Sequence, residues 1–187
     1  MAKNDRRARY TRQVIKNTLL DMLYTTPVDQ ITVKALCERA EINRATFYNH
    51  YETLPTLMDE LEYETYKLFV EMLKHALYDE SYIPILLSMI LQHLKNHPNI
   101  RELFLSKATA GRGLTRLLDE LYSQDLLAIG KNDILSQKQA QWTLTYISSG
   151  AREVIRHWFS NGMQDENALL DMLSRLIQTG LHAFLQK

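Results

Sequence analysis

The stretch that decides the fold is ITVKALCERAEINRATFYNHY, residues 31–51. Thr32 is the predicted N-cap of a helix whose inner face is apolar at helical spacing: Val33, Leu36, Cys37 and Ala40. The residues Glu41-Ile42-Asn43 interrupt this pattern, and Asn43 is the predicted cap of a short helix over about residues 44–51. Two helices joined by a turn of three or four residues predict a helix-turn-helix.

The rest of the chain also has helical periodicity. A helix is predicted over residues 9–25, which Pro27 ends, and a long one from Pro55 to about Tyr78. Five more are expected at residues 82–96, 98–108, about 114–129, 136–160 and 165–185. With 45% hydrophobic residues and only 6 Gly and 4 Pro, the chain is predicted to be all-α with about nine helices. We expect a DNA-binding domain at residues 1–53 and a larger helical domain at residues 54–187.

Charge is unevenly distributed along the chain. The net charge is zero, yet residues 1–51 hold nine lysines and arginines against five acidic residues. Residues 1–51 thus form a basic head and residues 52–187 an acidic body, which indicates a local site for a polyanion. The arm from Lys3 to Arg12 would add non-specific electrostatic attraction to DNA or reach into one of its grooves. Charge alone is equally compatible with a solvated tail.

The second helix of a helix-turn-helix lies in the major groove, with its first residues against base edges. Three hydrogen-bonding residues near its start are candidates for base contacts: Asn43, Arg44 and Thr46. Ala45 is small enough for close approach to a thymine methyl group. Three residues further along suit phosphates: Tyr48, Asn49 and His50. Thr32 leaves helix N–H groups for another phosphate, whereas Phe47 is expected to point into the core with Leu19, Leu36 and Ile42.

Residues 31–51 resemble the signature of the tetracycline-repressor (TetR/AcrR) family of bacterial regulators, and the likeness extends over about residues 9–60. The resemblance implies that six residues face DNA: Thr32, Arg44, Ala45, Thr46, Tyr48 and His50. Farther along, YISSGAREVIRHWFSNGM, residues 146–163, is similar to the C-terminal domain of one TetR-like branch. Two residues depart from the family: Leu54 replaces a phosphate-contacting lysine, and Glu41 replaces the turn glycine.

The resemblance implies a transcriptional regulator that binds a double-stranded DNA operator as a homodimer, through the helices at about residues 136–160 and 165–185. It further implies a repressor controlled by a small-molecule effector. Both helices carry apolar stripes, which favour a helical interface without excluding purely internal packing. The alternative is a co-regulator or activator whose C-terminal domain responds to a protein partner.

Six residues of the body are candidates for lining an effector cavity, with core packing as the alternative for each: Tyr66, Phe69, Met89, Phe104, Trp142 and Tyr146. No cofactor, metal or enzymatic activity is predicted. His93 and His97 lack a third ligand nearby, and residues 111–113 (GRG) are interpreted as a helix connector rather than a phosphate loop. The longest nearly apolar stretch, residues 83–91, is too short to span a bilayer. We therefore expect a cytoplasmic protein without membrane association, in which the single cysteine, Cys37, is a buried core residue.

Overall fold

The computed structural model describes residues 2–106, 111–113, 115–117 and 134–185, and every regular element within them is helical. The α-helices are α1 Ala2–Met22, α2 Val33–Arg39, α3 Arg44–Tyr48, α4 Leu54–Lys67, α5 Val70–Tyr78, α6 Ile83–Asn96, α7 Pro98–Leu105, α8 Ile134–Ser160 and α9 Glu166–Leu185. Two 3₁₀ turns cover Val28–Gln30 and Glu80–Tyr82. The all-α prediction is confirmed. Most of the helix predicted at residues 114–129 lies outside the described residues.

Two compact units make up the chain. The first contains Met1–Thr65 and Leu94–Gly113, and the second contains Tyr66–His93 and Leu114–Lys187. The first unit therefore includes the helix-turn-helix together with α7, which follows it by about fifty residues. The predicted boundary between residues 53 and 54 falls within this unit, and the functional division that it describes stays a prediction.

The core of the first unit forms around α1. Its most buried members come from five helices: Ile15, Leu19, Leu36, Phe47, Leu57 and Leu103. Helix α7 supplies Leu103 and is also hydrogen-bonded to the start of the chain, since Asn99 Nδ2 donates to the Leu20 carbonyl oxygen at 3.3 Å. The Val28 amide donates to Glu102 Oε1, also at 3.3 Å. Helix α7 is thus part of the framework that supports the helix-turn-helix.

The structure corrects the predictions for two long helices. Helix α1 begins at Ala2 rather than residue 9 and ends at Met22 rather than residue 25. Nothing in the sequence before residue 9 breaks a helix, and its arginines favour helical conformation. The long helix predicted from Pro55 to Tyr78 is interrupted at Phe69, whose backbone (φ −106°, ψ 4°) leaves the α-helical region.

Helices α8 and α9 pack against each other in the second unit. The predicted ranges are confirmed to within two residues at every end. The contact is close at Gly180, where a methyl group would lie 2.8 Å from Ile147 Cδ1. Between the helices, Gly162, Met163 and Asp165 all have positive φ angles, and Trp158 Nε1 donates to the Gln164 carbonyl oxygen at 2.5 Å. None of the described helices combines the length and apolar character required of a membrane span.

Candidate nucleic-acid interface

The turn between α2 and α3 is fixed by backbone hydrogen bonds. Thr32 Oγ1 accepts from the Ala35 amide at 3.2 Å, which confirms the predicted N-cap of α2. At the other end of α2, Glu41 adopts a left-handed backbone with φ 53°. The Ile42 amide donates to the Cys37 carbonyl at 3.0 Å and the Glu41 amide to the Glu38 carbonyl at 3.3 Å. This is a Schellman motif, in which glycine is the usual residue at the position of Glu41.

The start of α3 is closed by a side-chain cap. Asn43 Oδ1 accepts from the Thr46 amide at 2.7 Å and from Thr46 Oγ1 at 2.9 Å, so the predicted cap is confirmed. Asn43 and Thr46 therefore hold the helix start, in addition to any contact that they would make with a base. Arg44 and Ala45, which lie between them in sequence, are exposed.

The two sides of α3 differ in exposure. Phe47 is fully buried in the core of the first unit, as predicted, with its ring centroid 5.9 Å from that of Tyr51. Tyr48 is 55% exposed, and its ring meets Phe47 edge-on at 5.4 Å. Asn49 is exposed and His50 is half-buried. The buried phenylalanine thus holds α3 while the candidate DNA-contacting residues remain on its accessible side.

Lys16, one of the nine basic residues among residues 1–51, forms ion pairs inside the protein. It is only 7% exposed, and its Nζ lies 2.7 Å from Glu60 Oε1 and 2.5 Å from Glu64 Oε1. Burial alone lowers the pKa of Lys16, but the hydrogen bonds to the two carboxylates outweigh it, so the pKa is raised. The sequence contains a signal for this contact, because complementary charges recur four residues apart in α1 and α4.

Arg12 is a second basic residue with several contacts inside the first unit, and its side chain is 47% exposed. Its Nε donates to Tyr51 Oη at 3.3 Å and its Nη2 to the His50 carbonyl oxygen at 3.4 Å. The guanidinium carbon lies 5.1 Å from the centre of the Tyr51 ring, and Nη2 is 3.7 Å from Glu60 Oε2. The hydrogen bond to Tyr51 raises the pKa of Arg12, and burial raises the pKa of Tyr51, so the phenol is protonated at neutral pH. Sequence reasoning missed this contact.

The predicted arm from Lys3 to Arg12 is the first part of α1. Arg6, Arg7 and Arg9 are exposed there. Beside them, a groove of about 400 Å³ runs between α1 and the end of α2, which the sequence did not predict. Its walls are Tyr10, Thr11, Val14, Thr18, Arg39, Ala40, Glu41 and Ile42. Glu41 thus places an acidic group in the wall of this groove, to which Arg39 contributes a basic one.

Leu54 is half-buried against the core of the first unit. The side chain of Thr53 caps α4, because its Oγ1 accepts from the Thr56 amide at 3.3 Å. A leucine offers no hydrogen bond to a phosphate, so this position contributes apolar packing instead.

The six candidate cavity residues have different surroundings. Tyr66 and Phe104 are buried, and Phe69 is half-buried with its ring 5.4 Å from that of His93. The other three are exposed in the single chain, by 42% at Met89, 63% at Trp142 and 82% at Tyr146. Phe104 belongs to the first unit and the remaining five to the second. None of the six lines the groove beside α1, and the effector cavity stays a prediction.

No protein-family model matches the chain, and a search of curated proteins found no match. The likeness to TetR regulators is therefore carried by the motif at residues 31–51 and is a proposal.

Proposed function

We propose that this protein is a DNA-binding transcriptional regulator of the TetR type, a homodimeric repressor that a small-molecule effector releases from its operator. The observation that carries the proposal is the arrangement of α3. A buried Phe47 anchors the helix, a side-chain cap fixes its start, and Arg44, Ala45 and Tyr48 remain exposed. A helix so anchored on one side and polar on the other suits the major groove.

The exposed residues have distinct roles in this proposal. Arg44 offers two parallel N–H groups, which match the O6 and N7 acceptors of guanine. Ala45, next to it, permits close approach and contact with a thymine methyl group. Tyr48 offers its hydroxyl to a phosphate, which fixes the position of the helix rather than the sequence that it reads. Arg44 and Ala45 would therefore determine which DNA sequence is recognised, and Tyr48 would fix the position of α3 on the DNA backbone.

Apolar surface on α8 and α9 supports the homodimer. Trp142 and Tyr146 lie one helical turn apart on α8 and are exposed, as are Met172 and Leu176 one turn apart on α9. Large apolar side chains that gather on neighbouring helices typically mark an interaction surface. A two-fold dimer would present two copies of α3 to half-sites about 34 Å apart, or a multiple of that distance.

The first experiment selects duplexes from a random-sequence DNA pool with the purified protein and measures their affinity by fluorescence anisotropy at several salt concentrations. We expect a two-fold symmetric site, and binding that weakens steeply with salt. Arg44→Ala should weaken specific binding by about 1–3 kcal/mol, and Tyr48→Phe should weaken it less.

Lys74→Ala on α5 is the matched control, because it removes one positive charge outside the helix-turn-helix. It should leave the affinity unchanged. If the pool yields no preferred sequence, the protein is not an autonomous DNA reader. If a preferred sequence is found but neither Arg44→Ala nor Tyr48→Phe affects its affinity, the assignment of the reading residues is wrong.

A co-regulator that responds to a protein partner is the second candidate. The observation that favours it is the exposure of Ile85 and Met89, which lie one turn apart on α6. A thermal-shift screen against metabolites and a pull-down with Ile85→Glu as the negative control separate the two. A stabilising metabolite supports the effector-controlled repressor, whereas a protein captured by the wild type and lost by Ile85→Glu supports the co-regulator.

A further inference from the structure

We infer that Arg12 is a positioning residue for DNA reading: it fixes the end of α3 instead of contacting DNA phosphates. The inference rests on the proposed function, because it concerns how α3 is presented to DNA. A basic residue at this point of a basic helix would ordinarily be assigned to the DNA backbone. The contacts of its guanidinium group indicate a different role.

Arg12 joins α1 to the two residues that follow the C-cap of α3. One edge of the guanidinium holds both of them, through Nε to Tyr51 Oη at 3.3 Å and through Nη2 to the His50 carbonyl at 3.4 Å. The Tyr51 ring also faces the charge at 5.1 Å, a distance suited to a cation–π interaction. Since an arginine fork has fixed geometry, these contacts set the direction in which the chain leaves α3.

Tyr51 and Arg12 are each held in place by further contacts. Tyr51 is almost completely buried, and its ring packs near Phe47, the core residue of α3. On the other side, Glu60 on α4 lies 3.7 Å from Arg12 Nη2 and 2.7 Å from Lys16 Nζ. Glu60 thus links Arg12 to the contact between α1 and α4. A shift of α1 is therefore passed to α3 through Arg12 and Tyr51.

The salt dependence of DNA binding distinguishes positioning from phosphate contact. Loss of one phosphate contact lowers the slope of log affinity against log salt by about one. Loss of a positioning contact weakens binding and leaves the slope unchanged, since the number of displaced counterions is the same. Arg12→Lys adds a second criterion, because lysine keeps the charge but has neither the fork nor the planar face.

The experiment measures anisotropy on a labelled duplex selected by the wild type, for Arg12→Gln, Arg12→Lys, Tyr51→Phe and the Arg12→Gln/Tyr51→Phe double variant. We expect Arg12→Gln to weaken binding about tenfold and Tyr51→Phe somewhat less, as for loss of one or two hydrogen bonds. The salt slope should be unchanged, Arg12→Lys should not restore affinity, and the double variant should be no weaker than Arg12→Gln. Lys74→Ala is the control, since it removes one positive charge and one ion pair from α5, outside the first unit.

Amide hydrogen exchange provides a readout that does not require DNA. The amides of Asn49, His50 and Tyr51 donate to carbonyls within α3, so they should exchange faster in Arg12→Gln and Tyr51→Phe than in the wild type and in Lys74→Ala. Unchanged exchange in both variants overturns the inference. So does a salt slope lowered by about one in Arg12→Gln, combined with full affinity in Arg12→Lys. A wild-type protein without sequence-dependent DNA binding overturns the proposed function instead.

Discussion

At the scale of single residues, Glu41 is a position where the backbone and the amino acid disagree. Its φ of 53° lies in the left-handed region, where a residue with a Cβ atom is disfavoured by about 1–2 kcal/mol and glycine is not. The side chain is exposed, so little packing is lost on its removal. We expect Glu41→Gly to raise the free energy of unfolding by about 1 kcal/mol, measured by urea denaturation.

Glu41→Ala separates the effect of the backbone conformation on stability from the effect of the charge. It removes the same carboxylate but keeps a Cβ atom in the left-handed conformation, so it should gain little stability. Equal stabilisation by alanine and glycine would show that the carboxylate, and not the backbone, is the unfavourable feature of this turn.

Lys16 predicts a loss of stability at alkaline pH. Its pKa is raised in the folded protein above the unfolded value of about 10.4. The contribution of Lys16 to the free energy of unfolding is therefore fully present below that value. It is lost as the pH rises through the pKa of Lys16 in the folded protein. Lys16→Met should lower the free energy of unfolding by about 2 kcal/mol near neutral pH, because it leaves Glu64 without its cation and Glu60 with Arg12 alone, at 3.7 Å.

The pH dependence of that difference is the decisive measurement. The deficit of Lys16→Met relative to the wild type should shrink as the pH rises above about 10.4, where the lysine of the unfolded chain loses its proton, and should disappear above the raised pKa of the folded protein. Tyr51 also has a raised pKa and destabilises the fold at alkaline pH. Because the charge of Lys16 lowers this pKa, the two proteins are compared in a Tyr51→Phe background. A deficit that stays constant up to about pH 11 would contradict an ionic role for Lys16.

At the scale of elements, the helix-turn-helix could be predicted because its signals are local. Thr32 and Asn43 accept hydrogen bonds from amides three residues ahead, so the cap and its partner lie in one short stretch of sequence. The interruption at Phe69 could not be predicted, since neither glycine nor proline marks it. The early start of α1 was missed because the basic residues there were interpreted as an arm.

Substitution of Gly113 tests the packing of residues 111–113 against α4. Its amide donates to Glu62 Oε2 at 2.8 Å, and a methyl group on it would lie 2.6 Å from the Tyr63 backbone nitrogen. Gly113→Ala must therefore displace backbone and should cost about 1–3 kcal/mol. Gly150→Ala in α8 is the matched control, with nothing within 4 Å of the added methyl group, and should stabilise the protein by up to about 1 kcal/mol.

Thermal unfolding of the two alanine variants, compared with the wild type, measures both effects. A Gly113→Ala protein as stable as the wild type would mean that residues 111–113 are not held against α4 as the distances indicate.

At the scale of the whole molecule, sequence reasoning divided the chain at one point, whereas the first compact unit is assembled from two separate segments. The contacts responsible join residues far apart in sequence, such as Asn99 with Leu20 and Gly113 with Glu62. No local pattern encodes such pairs. For the same reason, the exposed residues of α3 could be predicted from the motif, but the contacts of Arg12 with Tyr51 and His50 that support it could not.

The homodimer is the prediction that belongs to the whole molecule. Leu176 is 61% exposed on α9, next to a helix that exposes Trp142 and Tyr146. If these residues meet a second copy of the chain, Leu176→Arg places a charge in an apolar interface and should convert the dimer to a monomer at micromolar concentration. Sedimentation velocity measures the result.

Met89→Arg is the control for this experiment, because it puts the same charge on a comparably exposed apolar residue of α6. The control should sediment as the wild type does. DNA affinity gives the second readout: a monomer contacts one half-site at a time, so Leu176→Arg should lose most of the affinity for a two-fold symmetric duplex and retain weak binding to a half-site. If Met89→Arg dissociates the dimer and Leu176→Arg does not, the interface lies on α6, and the apolar face of α8 and α9 needs another explanation.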